Sequence, residues 1–294
     1  MKTIRPSALD VSEFHSYFLG AVAPRPIAFV STVDARGQVN LSPFSCFNTF
    51  GSNPPILIFS ATRRVRDNTT KDTLDNVIEH PEAVINIVSY DMAEQMSLAS
   101  TEYQKGVNEF EKSGLNELPS EVVKPPRVKE AKVSFECKVN QVMPMGTEGG
   151  AGNLIICEVL LMHIQESILD ANGKIDPFKL DAVGRLGGDW YVRASGSSLF
   201  EIEKPNRNMG IGVDQLPLAI RHSDILTGND LGKLANVASL PDEASIRSYA
   251  DDPEVNAILV SGDTAQRQRA LHLKAREFLS NGEIKKAWLT LLQS

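Results

Sequence analysis

Cysteine is scarce: Cys46, Cys137 and Cys157 are the only three in 294 residues. They form no Cys-x-x-Cys pair and no Cys/His cluster, so neither a disulfide framework nor a metal site is expected. An excess of base is also missing, since 30 Lys and Arg face 37 Asp and Glu for a net charge of −7. Nucleic acid as a partner is therefore disfavoured, because duplex binding draws on a basic surface. An electrostatically held membrane-surface role is disfavoured for the same reason. No apolar run reaches the roughly 20 residues of a transmembrane helix; the most apolar early stretch, residues 18–33, is broken by Pro24, Arg25 and Pro26. No apolar h-region follows Lys2 and Arg5, so no secretory signal is expected and the chain reads as cytoplasmic. The sequon Asn68-Thr69-Thr70 then carries little meaning. H-E-x-x-H, G-x-S-x-G and paired-carboxylate signatures are absent too.

What is present is an ordinary soluble composition, 42% apolar and 23% charged. Residues 26–33 form a β-branched run, Asp34-Ala-Arg-Gly37 a turn, and residues 39–50 a returning strand. Further strands are expected over 55–60, 83–89, 132–145 and 153–167, with helices over 70–80 and 92–99. Gly146 to Gly152 is no P-loop, since no Gly-Lys-Ser/Thr follows and a strand comes next; a flexible hairpin tip is the better account. Many strands joined by hairpins predict a mainly β fold with helices, an antiparallel barrel closed against exposed edges.

The composition changes after Pro205, giving a first domain over residues 1–204 and a helical C-terminal extension over 205–294. Met209-Gly-Ile-Gly212 reads as a linker. Pro253 suits a first helical turn, and Asp263 suits an N-cap. Asn281-Gly282 divides an αα-hairpin whose apolar stripes are Leu271, Ala275, Phe278, Leu279 and Ile284, Trp288, Leu291, Leu292. The extension reads as too polar for its own core, so its stripes are expected to pack on the barrel or a second subunit.

Three segments carry chemistry. In the first, Ser60 ends a strand, Arg63, Arg64 and Arg66 follow, and Lys71-Asp72-Thr73 opens a helix. Cationic and hydroxyl donors converging on a helix N-terminus can cage a phosphomonoester. Asp72 would repel it and is better suited to the helix start or a neighbouring cation. A solvated basic loop with an ordinary N-cap accounts for the same residues. The second segment is Asn40-Leu-Ser-Pro-Phe-Ser45-Cys46-Phe47-Asn48, whose small polar residues suit either a flat ring against the sheet or a bulged edge strand. Cys46 taken alone reads as a buried apolar thiol. In the third, Gly184-Arg185-Leu-Gly187-Gly188-Asp189, two glycines permit close backbone approach beside a fixed charge.

Together with Pro24-Arg-Pro-Ile-Ala-Phe-Val-Ser-Thr32 and Pro125-Pro-Arg-Val128, these segments occur in the order found in the flavin reductase-like family of FMN-binding split β-barrels, flavoredoxins included, which residues 10–204 resemble. The resemblance implies a homodimer with FMN near the subunit interface. It would put Ser45, Cys46, Phe47 and Asn48 along the isoalloxazine. Ser60, Arg63 or Arg64, Lys71, Asp72 and Thr73 would surround the phosphate. Asn153, Arg185, Gly187 and Gly188 would stand on the substrate side. Many relatives carry a histidine after the glycine turn and a Gly-Glu pair in the next strand, where this chain has Asn153 and Cys157-Glu158. The implied activity is an FMN-dependent oxidoreductase with NAD(P)H as donor and a small-molecule or protein acceptor. No side chain need be catalytic, since flavin carries the chemistry. The alternative is an FMN-binding electron carrier with no NAD(P)H activity of its own.

Overall fold

Ala28-Phe-Val-Ser-Thr-Val33 suits a pleated surface covered on both sides, and the strand is buried along its whole length. Asp34 then turns the chain. Its carboxylate accepts the N–H groups of Arg36 and Gln38 at 2.8 and 2.9 Å, and Gly37 takes the φ of +79° that the turn needs.

The computed structural model describes residues 1–205 and 209–293. Its strands are β1 (Arg25–Pro26), β2 (Ala28–Val33), β3 (Val39–Phe44), β4 (Phe47–Ser52), β5 (Pro55–Ser60), β6 (Glu82–Ile87), β7 (Glu117–Leu118), β8 (Arg127–Val128), β9 (Val133–Pro144), β10 (Asn153–Ile164), β11 (Val183–Arg185) and β12 (Tyr191–Arg193). Seven of them form one antiparallel sheet in the order β3-β2-β6-β9-β10-β5-β4. The two edge strands, β3 and β4, are separated in the chain only by Ser45 and Cys46. The sheet must therefore curl until its edges meet, which makes the expected split barrel. The return strand expected over 39–50 is two strands, one on each side of the seam. Pro43 fits there, because a residue without an N–H belongs on an edge.

One core lies inside the barrel, where Val30, Phe44, Phe59, Ile85, Cys137 and Ile155 meet Leu74 and Val77 of the helix Asp72–Glu79. A second covers the other face of β2, with Phe29 and Leu41 against Met92, Met96 and Phe110. The helix Val11–Ala21 was not foreseen, although Asp10 caps it by accepting the Glu13 N–H at 2.8 Å. Its Asp-x-x-Glu start was the signal.

The chain divides into two compact units, Met1–Phe200 and Glu201–Ser294. The second contains the helices Leu218–Arg221, Gly228–Ala235, Glu243–Tyr249, Pro253–Leu259, Thr264–Ser280 and Ile284–Leu291. Asp263 and Gln266 form a reciprocal capping box at the start of the longest. The expectation that this region lacks a core of its own is corrected. Leu216, Ile220, Leu234, Leu279, Trp288 and Leu291 close around one another, and the Trp288 Nε1–H reaches the Leu234 carbonyl at 3.1 Å. Residues between the expected helix pair and the barrel, above all Gly228–Ala235, supply the missing apolar surface. Gly210 is likewise no loose linker: a Cβ there would come within 2.6 Å of the Ala235 carbonyl oxygen. No helix among the described residues is long and apolar enough to cross a membrane.

Candidate functional site

The seam between β3 and β4 gathers the candidates. The Ser60 N–H donates to the Cys46 carbonyl at 2.9 Å, which brings the end of β5 against the break. Phe47 opposes Phe59 and packs on the inner core, so its side chain is turned away from the outer face. Asn48 opposes Ile58, and Ile58 opposes Ile156; the next row is Ser60, Leu154 and Met143. Direct antiparallel partners share a face, so Asn48 and Ser60 stand on the outer surface among apolar neighbours. Cys46 is exposed, which corrects the buried-thiol reading: it sits in the two-residue break between β3 and β4.

Sequence reasoning passed over Arg25 as an individual residue. It is 6% exposed, and among the described residues no carboxylate lies within ion-pair distance of it. Instead it donates to the carbonyls of Leu19, Val22 and Leu186, the last at 3.0 Å, and to Ser45 Oγ at 3.4 Å. One guanidinium thus ties the end of Val11–Ala21, the glycine turn after β11 and the seam. Its position inside the Pro24-Arg-Pro motif was the available signal.

The arginine loop is built against the β9–β10 hairpin tip. The Gly150 N–H donates to the Arg63 carbonyl at 3.0 Å, and the Arg63 N–H to the Ala151 carbonyl at 2.9 Å. Asn68 Nδ2 donates to the Thr147 carbonyl at 3.0 Å. A Cβ at Gly149 would fall 2.9 Å from the Val65 oxygen, and one at Gly152 would fall 2.8 Å from Ser60 Oγ. The glycines are therefore a packing requirement, and the tip is pinned rather than free. Arg63 bonds within its own loop, to Asn68 Oδ1 and the Asn68 carbonyl, both at 2.6 Å. Arg64 is oriented by Thr69 Oγ1 at 2.9 Å and by the Thr70 carbonyl.

Lys71 occupies the N-cap of Asp72–Glu79 and makes no capping bond, so the first-turn amides keep no side-chain acceptor. Its Nζ lies 3.4 Å from Ser42 Oγ and 5.1 Å from the centre of the Phe44 ring. Among the described residues no carboxylate is within ion-pair distance of it. Burial holds its ammonium below the usual lysine value, and nearby Arg64 adds to this, while Glu102 and Glu109 act the other way. Thr73 is buried and donates to Asn40 Oδ1 at 2.7 Å. Asn40 Nδ2 in turn donates to Glu109 Oε1 at 3.1 Å, and the Leu41 N–H to Glu109 Oε2 at 2.9 Å. Of Thr73, the backbone amide rather than the hydroxyl is left for a ligand. Asp72 is half-buried at the first helical position.

The substrate-side candidates are scattered. Asn153 is buried, and its Nδ2 donates to the Ala61 carbonyl at 2.9 Å, fastening β10 to the end of β5. Arg185 lies over the Tyr191 ring at 4.5 Å. A Cβ at Gly187 would fall 2.9 Å from Gly20 Cα, and Gly188 takes a φ of +58°. His163, far along β10, bonds the buried Glu136 at 2.8 Å through Nε2 and has no part in the seam.

Three larger clefts in this unit, of about 440, 400 and 460 Å³, are lined by neither Lys71, Arg64 nor Ser45. In a single chain the seam is an open surface. No group of three or more His, Cys, Asp or Glu among the described residues could hold a metal ion. The arrangement is a cationic, donor-rich corner beside an apolar sheet face, suited to a molecule with an anionic end and a flat apolar body.

Comparison with known proteins points the same way. The sequence profile of the flavin reductase like domain matches residues 20–179. An uncharacterized protein of Aquifex aeolicus is 42% identical over 193 residues, spanning 66% of this chain and 96% of the relative. Among solved structures, nitrilotriacetate monooxygenase component B from Bacillus cereus superposes with a TM-score of 0.64 at 30% identity, over 69% of this chain and 98% of that one. The 2-nitrobenzoate 2-nitroreductase NbaA of Pseudomonas fluorescens superposes with a TM-score of 0.59 at 28% identity, over 69% and 96% of the two chains.

Proposed function

The chain belongs to the flavin reductase-like family, and from that premise we propose that it is an FMN-dependent oxidoreductase taking electrons from NAD(P)H to a second acceptor. Bound flavin would supply the hydride chemistry. The protein's task is to hold the ring and its phosphate and to shape access.

Lys71 carries the reading. A half-buried cation at a helix N-cap, beside an arginine and without a carboxylate partner, is unfavourable on its own. A dianionic phosphate there would offset those costs by pairing with both cations and accepting from the helix amides. Ser42 Oγ, the Arg64 guanidinium and the first-turn amides of Asp72–Glu79 supply the further donors. Asn48, Ser60 and the apolar row of Ile58 and Ile156 offer the surface for a flat ring. The same outer face, with Phe50 exposed beside it, supports a homodimer in which a second copy closes the open side. Sedimentation equilibrium tests that part.

The test of function is the absorbance spectrum of the purified protein, followed by anaerobic addition of NADH and NADPH. A yellow protein that bleaches bears the proposal out. A yellow protein inert to both nucleotides is the electron carrier instead. Asn153 favours that second reading: its amide is bonded to Ala61 and, unlike a histidine, cannot titrate.

A further inference from the structure

Glu102 lies outside every motif so far described, in the segment after the helix Ala93–Leu98. Its two oxygens reach two arginines of the loop after β5. Oε1 is 3.2 Å from Arg64 Nε, and Oε2 accepts from Arg66 Nη2. Lys71 also feels its field. One carboxylate therefore sits among the cations that the preceding section assigns to a phosphate.

We infer that Glu102 is a built-in competitor for the flavin phosphate, occupying the arginines until a phosphomonoester displaces it. The inference rests on the FMN reading of this same site. Three observations separate competition from mere support. Arg64 is already oriented by Thr69 and Thr70, so it does not need Glu102 to hold its direction. Arg66 has a second carboxylate, Asp67 at 3.1 Å, and is largely exposed. Glu102 itself is 44% exposed, so it can swing into water without leaving a buried charge unpaired. The consequence is a flavin held less tightly than its cage would allow, and therefore exchangeable.

The test measures FMN and riboflavin binding by flavin fluorescence quenching for the full chain and for Glu102→Gln, at low and high salt. The amide keeps the shape and removes the charge. Glu102→Gln is expected to bind FMN roughly two- to fivefold more tightly at low salt, the scale of an exposed ion-pair competition. Riboflavin affinity should stay unchanged, and the gain should shrink at high salt as the charges are screened. Unchanged or weaker FMN binding by the variant, with the parent still preferring FMN to riboflavin, overturns the competitor role and leaves the FMN site standing. A parent chain that binds both flavins equally overturns the phosphate reading and this inference with it.

Discussion

Lys71 illustrates a residue held against its own preference. Burial, with Arg64 beside it, depresses its pKa in the folded chain below the unfolded value near 10.5. Between those two values the unfolded chain binds more protons, so folded stability rises with pH there and the charged lysine is a penalty at neutral pH. Lys71→Met should therefore leave the apo melting temperature equal or higher. It should weaken FMN binding by about 1.5–3 kcal/mol, the worth of one charge-assisted contact. Riboflavin should bind as before; parallel titrations and a thermal melt check all three. Arg25 is the opposite case, a buried charge satisfied wholly by three carbonyls and a hydroxyl. Arg25→Lys keeps the charge and loses the planar fork. It should destabilise the fold by about 1–3 kcal/mol, since at least one part-buried carbonyl loses its donor. Chemical denaturation measures that loss.

At the scale of elements, the arginine loop takes its shape from the hairpin it leans on. Gly149 is where the loop's backbone comes nearest the tip, with the Arg64 and Val65 oxygens 3.0 and 2.9 Å from where a Cβ would stand. Those atoms are backbone and cannot rotate aside. Gly149→Ala should push the loop off the β9–β10 tip, lower stability by about 1–3 kcal/mol and reduce FMN affinity. Gly173→Ala, in a turn with open space around it but a φ of +71°, is the control for backbone strain alone. It should shift the melting temperature without changing the preference for FMN over riboflavin.

For the whole molecule, two units with separate cores should unfold by separate routes. The helical unit holds an acid-sensitive group. His272 is buried, with Nδ1 bonded to Ser223 Oγ at 2.8 Å and no hydrogen-bond partner for Nε2. Ser223 Oγ already accepts the N–H groups of Ile225 and Leu226, so its own O–H is the donor and the ring is neutral. Burial lowers the His272 pKa below its ordinary 6.5, against the opposing pull of Asp224. A depressed folded pKa contributes stability above the unfolded value and loses it as pH falls through the folded one. The helices of residues 201–294 should accordingly loosen first as pH drops below 6.5, seen by hydrogen exchange, while barrel amides stay protected. A chain ending at Phe200 should fold and keep its flavin affinity. Its self-association and acceptor choice, compared with the full chain, test the expectation that the tail packs on the first unit.

The sequence alone determined the local features. These are the strands of the barrel, the helix opening at Lys71-Asp72, the Asp263 cap and the chemistry of the Ser60-to-Thr73 segment. Each depends on residues a few positions apart, whose periodicity and capping groups act before any distant contact forms. Tertiary structure decided what depended on partners far along the chain. Leu186 lies 161 residues from Arg25, and Glu102 lies 38 from Arg64. The curl that sets Ser45 and Cys46 at a seam follows from the pairing of seven strands, and the core of the helical unit from the meeting of several short helices. A side chain advertises its charge and size in the sequence, but which oxygen finally faces it is fixed only when the sheet closes.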